Sequence, residues 1–351
     1  MPQIHTKPIK IDKEFTRPIN LCRQVVILDG LTGTGKTMFT PLISSFERMQ
    51  NARFEYMFEY LSIAGQMSKL TSDGANSLLN LLADVKYYDG TVSREVNFRP
   101  GDLSSVFNSS KAIKYLRQLW MKDGQNVEER IENENPILFL TTHQLLSCMG
   151  SAFKAFGERL KIIEMVRHPL YLLDHWESYI MMHGKNVRDF TVWLDESGES
   201  VPWFAQGWEQ KYIESSSYDR VVYSIEVLMQ DIFKYAKSEA RKDSIIFIPF
   251  EKFVLNPDPY TRDLENFLGA KMRPATRKIL KKQRVPRPSI NAGPQKSIYK
   301  RYALKAYDKN VSHQEDFQNK IDSAKKNCSG EAYKVLEKLS KEYEDVFGLW
   351  F

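Results

Sequence analysis

The stretch Val25–Thr37 reads VVILDGLTGTGKT. Its first half is a short run of branched apolar residues, the length and composition of a buried strand rather than of a helix. Its second half, Gly30 to Thr37, satisfies the pattern GxxxxGK[ST] at every fixed position and stands between that strand and an amphipathic stretch. This is the setting a phosphate-binding loop requires. Glycines at 30, 33 and 35 let the backbone wrap closely around an oxyanion. The N–H groups from Gly30 through Leu31, Thr32, Gly33, Thr34 and Gly35 can then point inward, and the following helix adds its positive end. Lys36 supplies a full charge, and Thr37 a hydroxyl for a phosphate oxygen or a magnesium ion. The loop specifies phosphate without specifying a reaction.

Outward from this loop, three more short apolar runs recur: Gln24–Asp29 is followed by Pro136–Thr141 (PILFLT), Leu160–Val166 (LKIIEMV) and Ser244–Phe250 (SIIFIPF). Amphipathic stretches lie between them, among them Met38–Gln50, Ser109–Trp120, Tyr171–Met182 and Tyr218–Ala240. Strands alternating with helices predict an α/β fold of the three-layer P-loop type, a central parallel sheet of about five strands flanked by helices. Ligands of such sheets bind at the carboxyl ends of the strands. The segment Thr191–Ser217, with Trp193, Trp203, Trp208 and Tyr212 among Gly, Pro and Ser, reads as an irregular aromatic insertion that either lines a cleft or packs over the sheet. After Pro286 comes loop, then helices, the last over about Ser329 to Val346. A single domain over residues 1–351 is expected, with a core over about 21–270 and a basic loop and helices over 271–351.

The composition agrees with a globular chain. It has 351 residues, 42% hydrophobic and 27% charged, enough for a large core and too apolar for a disordered or fibrous chain. Cys22, Cys148 and Cys328 lie far apart without a CxxC pair, which excludes a disulfide framework and suits a reducing compartment. The N-terminus has no signal-like apolar run, and no stretch approaches the roughly 18 apolar residues that span a bilayer. A soluble, cytoplasmic protein without a membrane span is expected. The net charge of +6 is uneven: Lys271 to Lys305 holds twelve Lys or Arg and no acid, so the remainder is net acidic. A basic segment on an acidic body suits a local anionic ligand, or simply a solvated basic surface. Without zinc-finger spacing or an RNP-type motif, no nucleic-acid partner is expected.

A metal-assisted kinase needs a carboxylate at a later strand end. PILFLTTHQ ends instead in Thr and His, and LKIIEMVRHP carries Glu164 inside the strand with Arg167 at its end. Glu251, after FIPF, and Asp29, just before the loop, are the remaining carboxylates.

Taken together, these segments resemble the sulfotransferases that use 3′-phosphoadenosine 5′-phosphosulfate (PAPS). GLTGTGKTMF aligns without gaps on the family's GFPRSGTTLL-type loop for the 5′-phosphosulfate. FLTTHQLL looks like its KTHLP strand end, where the His is the general base, and LKIIEMVRHPLYLLDHWESY looks like its strand–R(D/N)P–helix segment, whose Arg and Ser hold the 3′-phosphate. FIPFEKFVLNPDPYTRDLENFLGAK resembles its YEDL…P…FLG segment. The four occur in family order over about Val25 to Lys271.

The resemblance implies sulfuryl transfer from PAPS to a hydroxyl or amine of a small-molecule or carbohydrate acceptor, without a metal. His143 would be the base, a task suited to imidazole, and Lys36 and the loop would stabilise the leaving oxygen. Arg167 would hold the 3′-phosphate. The family's Ser falls at His175, and the nearest serine is Ser178, on the same helix face. Two departures stand out. Gly33 replaces the loop's central cation while Lys36 stands in place of a Thr, and Thr141 replaces the Lys two residues before the catalytic His. In the family a basic C-terminal loop closes over the 3′-phosphate, a role open to Arg284, Arg287, Lys296, Lys300 and Arg301. Glu251 is expected to brace the fold. The alternatives are an ATP-dependent P-loop kinase and a nucleotide-binding module without catalysis.

Overall fold

A computed structural model of the chain describes residues 13–102, 104–121, 126–185, 187, 189–294 and 311–351. The apolar runs become strands: β1 (Val25–Gly30), β3 (Leu138–Thr141), β4 (Leu160–Val166) and β7 (Ile245–Pro249). With β2 (Arg53–Phe54) they form one five-stranded sheet in the order β2-β3-β1-β4-β7. Every pairing in it is parallel, as the alternation of strands and helices predicts. β1 lies at the centre and is buried at each residue. Burial on both faces explains why its sequence is a continuous apolar run rather than an alternating one. The edge strand β2 has only two residues and no apolar run, which is why periodicity does not reveal it.

Register fixes what meets at the carboxyl edge. Leu28 pairs with Thr141 on one side, and Asp29 and Gly30 pair with Glu164 and Met165 on the other. β3 stays tied to β1 past its last residue: the Thr142 amide donates to the Leu28 carbonyl at 3.1 Å, and the Gln144 amide to that of Gly30 at 3.1 Å. His143, between them, is therefore level with the start of the glycine loop.

Helix α1 (Lys36–Ser44) follows the loop, and α2 (Tyr56–Gln66) and α3 (Ser72–Thr91) follow β2. α1 is shorter than the expected Met38–Gln50. The chain leaves it so that Met49 can bridge to Ile137, just before β3. The insertion is not irregular: β5 (Trp193–Glu196) and β6 (Glu199–Pro202) form an antiparallel hairpin. Its turn residues, Ser197 and Gly198, both have positive φ, as two-residue hairpins require. Trp203 and Tyr212 are buried, and the Trp208 Nε1–H donates to the Phe204 carbonyl at 2.9 Å, so these aromatics pack against the body. The last helix spans Gly330–Phe347. Among the described residues, no helix is long and apolar enough to cross a membrane.

Candidate functional site

The loop is built around its glycines. Gly33 (φ 94°) and Gly35 (φ 100°) occupy left-handed backbone that other residues avoid. A Cβ at Gly35 would lie 2.4 Å from the Phe250 ring, and one at Gly33 would lie 3.0 Å from that of His175. The buried Thr34 donates its hydroxyl to the Leu31 carbonyl at 2.8 Å and so ties the turn to itself. The Trp176 indole N–H donates to the Thr32 carbonyl at 2.8 Å, and the Thr32 hydroxyl to Gln144 Oε1 at 3.2 Å. The loop is thus clamped between the β3 end and the Leu173–Met181 helix. Gly35 caps α1 without a side-chain hydrogen bond. The Met38 and Phe39 amides donate to the Gly35 carbonyl at 2.9 and 3.2 Å, and the positive end of the helix dipole lies at the loop, which makes this N-terminus receptive to an anion. Thr37 is part-buried in this first turn.

Lys36 is buried, and its ammonium donates to the carbonyls of Gly30 and Leu31, the latter at 3.1 Å. Burial pushes its pKa down, while Asp29, Glu164 and Glu59 push it back up. Asp29 and Glu164 are side by side in register and both wholly buried. They differ in their hydrogen bonds. Asp29 accepts from the Thr142 hydroxyl at 2.9 Å and from the Leu145 amide at 2.7 Å. Neither oxygen of Glu164 has a hydrogen-bond partner among the described residues. Burial first, and Asp29 second, raise the Glu164 carboxyl well above the usual carboxylate range. The third carboxylate of the edge, Glu251, accepts from the His168 amide at 3.1 Å and from the Tyr343 hydroxyl at 3.1 Å. Each of the three is thus enclosed or engaged as a brace.

Across the loop, His143 keeps 30% of its side chain exposed. Its Nδ1 lies 2.9 Å from Oε1 of Glu59, a buried residue of α2. A carboxylate at that distance accepts a hydrogen bond from Nδ1–H and leaves the lone pair on Nε2. The Phe54 and Tyr56 rings lie nearly parallel to the imidazole, with centroids at 6.0 and 5.9 Å. Phe190 packs on Tyr56 at 5.1 Å, and the Tyr60 hydroxyl donates to the Phe190 carbonyl at 2.9 Å. The imidazole therefore faces an aromatic wall. Burial raises the Glu59 carboxyl above its ordinary value, partly offset by the contact with His143. Sequence reasoning missed Glu59. Its one signal is a carboxylate between Tyr56 and Tyr60, at helical spacing on one face.

At the β4 end, Arg167 Nη1 donates to the Gly33 carbonyl at 2.9 Å, and Nε lies 3.7 Å from Glu251. Its guanidinium stacks over Phe250 at 4.7 Å. His175 touches the loop at Gly33, and burial, with Arg167 and Lys36 nearby, pushes its pKa down to about 4. It is neutral near pH 7. Ser178 is part-buried on the same helix and makes no hydrogen bond to the loop among the described residues. Arg287 stacks on Phe250 at 5.7 Å, which brings one residue of the basic segment behind Gly35. Arg284 is exposed, and Lys296, Lys300 and Arg301 lie outside the described residues. The structure thus gathers Lys36, Arg167, His175 and Arg287 around the loop, with His143 at the neighbouring strand end.

No protein-family model matches the chain. No curated protein matches it either. Among solved structures it is similar to the sulfotransferase domain from the curacin biosynthetic pathway, with 13% identity over 92% of this chain and 99% of that one, at a TM-score of 0.43. It is also similar to the sulfotransferase domain of the Synechococcus PCC 7002 olefin synthase, with 11% identity over 94% and 98% of the two chains and a TM-score of 0.43. For a sulfotransferase from Mycobacterium tuberculosis H37Rv the values are 11%, 80% and 77%, with a TM-score of 0.37.

Proposed function

We propose that the chain is a PAPS-dependent sulfotransferase acting on a hydroxyl or amine of a small-molecule or carbohydrate acceptor. One observation carries the reading: an imidazole fixed by the buried Glu59 stands at the strand end beside a phosphate-type loop, level with its first glycine. Such a pair is what deprotonation of an acceptor requires. PAPS supplies the sulfuryl group and a phosphate leaving group. The residues present fit its 5′ end. The turn takes left-handed backbone at Gly33 and Gly35, and α1 follows it directly with no side-chain cap.

In this reading His143 Nε2 takes the acceptor proton while Glu59 holds Nδ1 and balances the imidazolium. The acceptor atom forms its bond to sulfur as the bridging bond from sulfur to phosphate oxygen breaks. The amides of Gly33, Gly35 and α1, with Lys36, stabilise the charge left on that oxygen. Lys36 would exchange the Gly30 and Leu31 carbonyls for it. Arg167 and Arg287 supply the positive charge for the 3′-phosphate. Neutral His175 and the hydroxyl of Ser178 can add hydrogen bonds there, but no charge. The aromatic wall of Phe54, Tyr56 and Phe190 suits the flat or apolar face of an acceptor. The reading uses no metal: Asp29 and Glu251 are engaged as braces, and Glu164 is enclosed within the sheet.

The test is transfer of labelled sulfate from PAPS to an acceptor panel. His143→Ala is expected to lose transfer by about 10³-fold and to keep its affinity for 3′-phosphoadenosine 5′-phosphate. Unchanged turnover overturns the role of His143. Stabilisation by ATP with magnesium, and none by 3′-phosphoadenosine 5′-phosphate, overturns the reading in favour of a kinase.

A further inference from the structure

A second cationic site lies at the other end of the sheet. The bridge from Met49 to Ile137 precedes β3, so the cavity it borders opens at the amino ends of the strands, away from the loop. Its volume is about 370 Å³. That is within the range of small-molecule pockets, roughly 300–1,000 Å³. Arg48, Lys111, Lys114 and Arg273 line it, with Ser110 and a single acid, Glu134.

Of the four cations, only Lys114 has a carboxylate partner among the described residues. Glu134 accepts from Lys114. Lys111 is buried, and among the described residues its ammonium has only backbone carbonyls as acceptors, those of Phe46 at 2.7 Å and Met49 at 2.5 Å. Arg48 donates to the carbonyls of Asn135 and Gly269, at 3.3 and 2.8 Å. Arg273 is exposed at the rim and has no acidic partner among the described residues. The crowding of like charge is visible at Lys111. Burial first, then Lys114 and Arg273, push its pKa down to about 7, with only Glu47 opposing. Lys111 thus stands in a concave cavity whose other lining residues include three further cations, Arg48, Lys114 and Arg273. Such walls focus positive potential on whatever enters.

We propose that this cavity binds a small phosphorylated or sulfated anion, at a site separate from the glycine loop. The ligand is small because its deepest cation, Lys111, is enclosed. A nucleic-acid backbone on the surface would meet Lys114 and Arg273 and leave Lys111 untouched. The carbonyls around Lys111 and Arg48 orient the two cations without cancelling their charge. A group bearing several anionic oxygens completes the set by bridging floor and rim. The proposal does not depend on sulfuryl transfer.

Isothermal titration with inorganic pyrophosphate, and separately with inorganic sulfate, tests it on the full chain. The wild type is expected to show two classes of site, of which Lys36→Ala weakens one. Lys114→Gln with Arg273→Gln weakens the other, by about tenfold for each charge-assisted contact removed. Both of these side chains are exposed, so the double variant folds, and circular dichroism checks that it has. Lys111→Met gives the same loss from the floor of the cavity. The tighter of the two probes assigns the phosphoryl or sulfuryl class. A single class of site abolished by Lys36→Ala overturns the proposal. So does a titration of Lys114→Gln with Arg273→Gln that superimposes on the wild type. Displacement of pyrophosphate by a short RNA duplex, charge for charge, overturns it in favour of a nucleic-acid surface.

Discussion

The ends of β3 and β4 flank the same loop and look alike in sequence, Thr-Thr-His against Arg-His-Pro, yet they are built to opposite plans. The β3 end is polar and partly open. Thr142 and the Leu145 amide serve Asp29, and His143 shows a ring edge to solvent and sets its other nitrogen on Glu59. The β4 end is dry. His168 is wholly buried, with the rings of Phe317, Tyr343, Tyr171 and Trp350 around it at 5.1 to 6.3 Å and Glu344 at 3.3 Å from Nε2. A histidine at a strand end is thus no evidence of catalysis by itself. Its exposure and the source of its carboxylate partner decide. Glu59 comes from a helix that frames the site, whereas Glu344 comes from the C-terminal helix and fastens that helix to the body.

The sharpest test of this difference exchanges the readouts. His168→Ala removes a filled ring site and is expected to lower unfolding free energy by about 2–4 kcal/mol. His143→Ala changes a half-open site and is expected to stay within about 1 kcal/mol of the wild type. Urea unfolding of the two variants checks both. Equal destabilisation would mean that His143 is a packing residue like its counterpart, and the contrast between the strand ends would fail.

Next in size is Glu59→Gln. The amide retains the shape and can accept from Nδ1, but it supplies no charge to balance an imidazolium. Transfer is expected to fall by about 10²-fold, in kcat more than in KM. The pH profile separates orientation from charge. Because burial raises the Glu59 carboxyl, the wild type should lose activity, as pH falls, above the ordinary carboxylate range, as Glu59 takes up its proton. The Gln variant has no such group and should lack that limb. A limb that persists unchanged in the variant belongs to another residue.

Much of this contrast is legible in the sequence, and the missing part has a physical cause. The four long strands show as apolar runs because both sheet faces are covered, and Leu160–Val166 coincides with β4. The loop shows because its glycines are demanded by backbone geometry, not by packing. β2 and the bridge at Met49 do not show: two residues carry no period, and their pairing is decided by contacts far along the chain. Glu59 is hidden for the same reason. It stands 84 residues before its partner, and nothing local to α2 announces a histidine. Arg167 was legible as a cation at a strand end. Its hold on the Gly33 carbonyl was not, because that contact depends on the loop's path in space.

The smallest effects probe the line where the two plans meet, at Asp29 and Glu164. They are chemically alike and adjacent, but the β3 side gives Asp29 two donors and the β4 side gives Glu164 none. Asp29→Asn turns an amide N–H₂ toward one of those donors, at a cost of about 1–3 kcal/mol. Glu164→Gln should cost less than about 1 kcal/mol at acidic pH, because the native carboxyl already carries a proton there. The sign then follows from the proton count. A carboxyl whose folded pKa is raised binds more protons in the native state than in the unfolded chain, between its ordinary and its raised value. Wild-type stability from this group therefore falls as pH rises through that window, while glutamine has no proton to lose. The difference between Glu164→Gln and the wild type should move in favour of the variant as pH increases. A difference that moves the other way, in favour of the wild type as pH rises from acid to neutral, would show that Glu164 is held ionised and paired with Lys36. The dry side of the loop would then hold a salt bridge in place of a neutral acid.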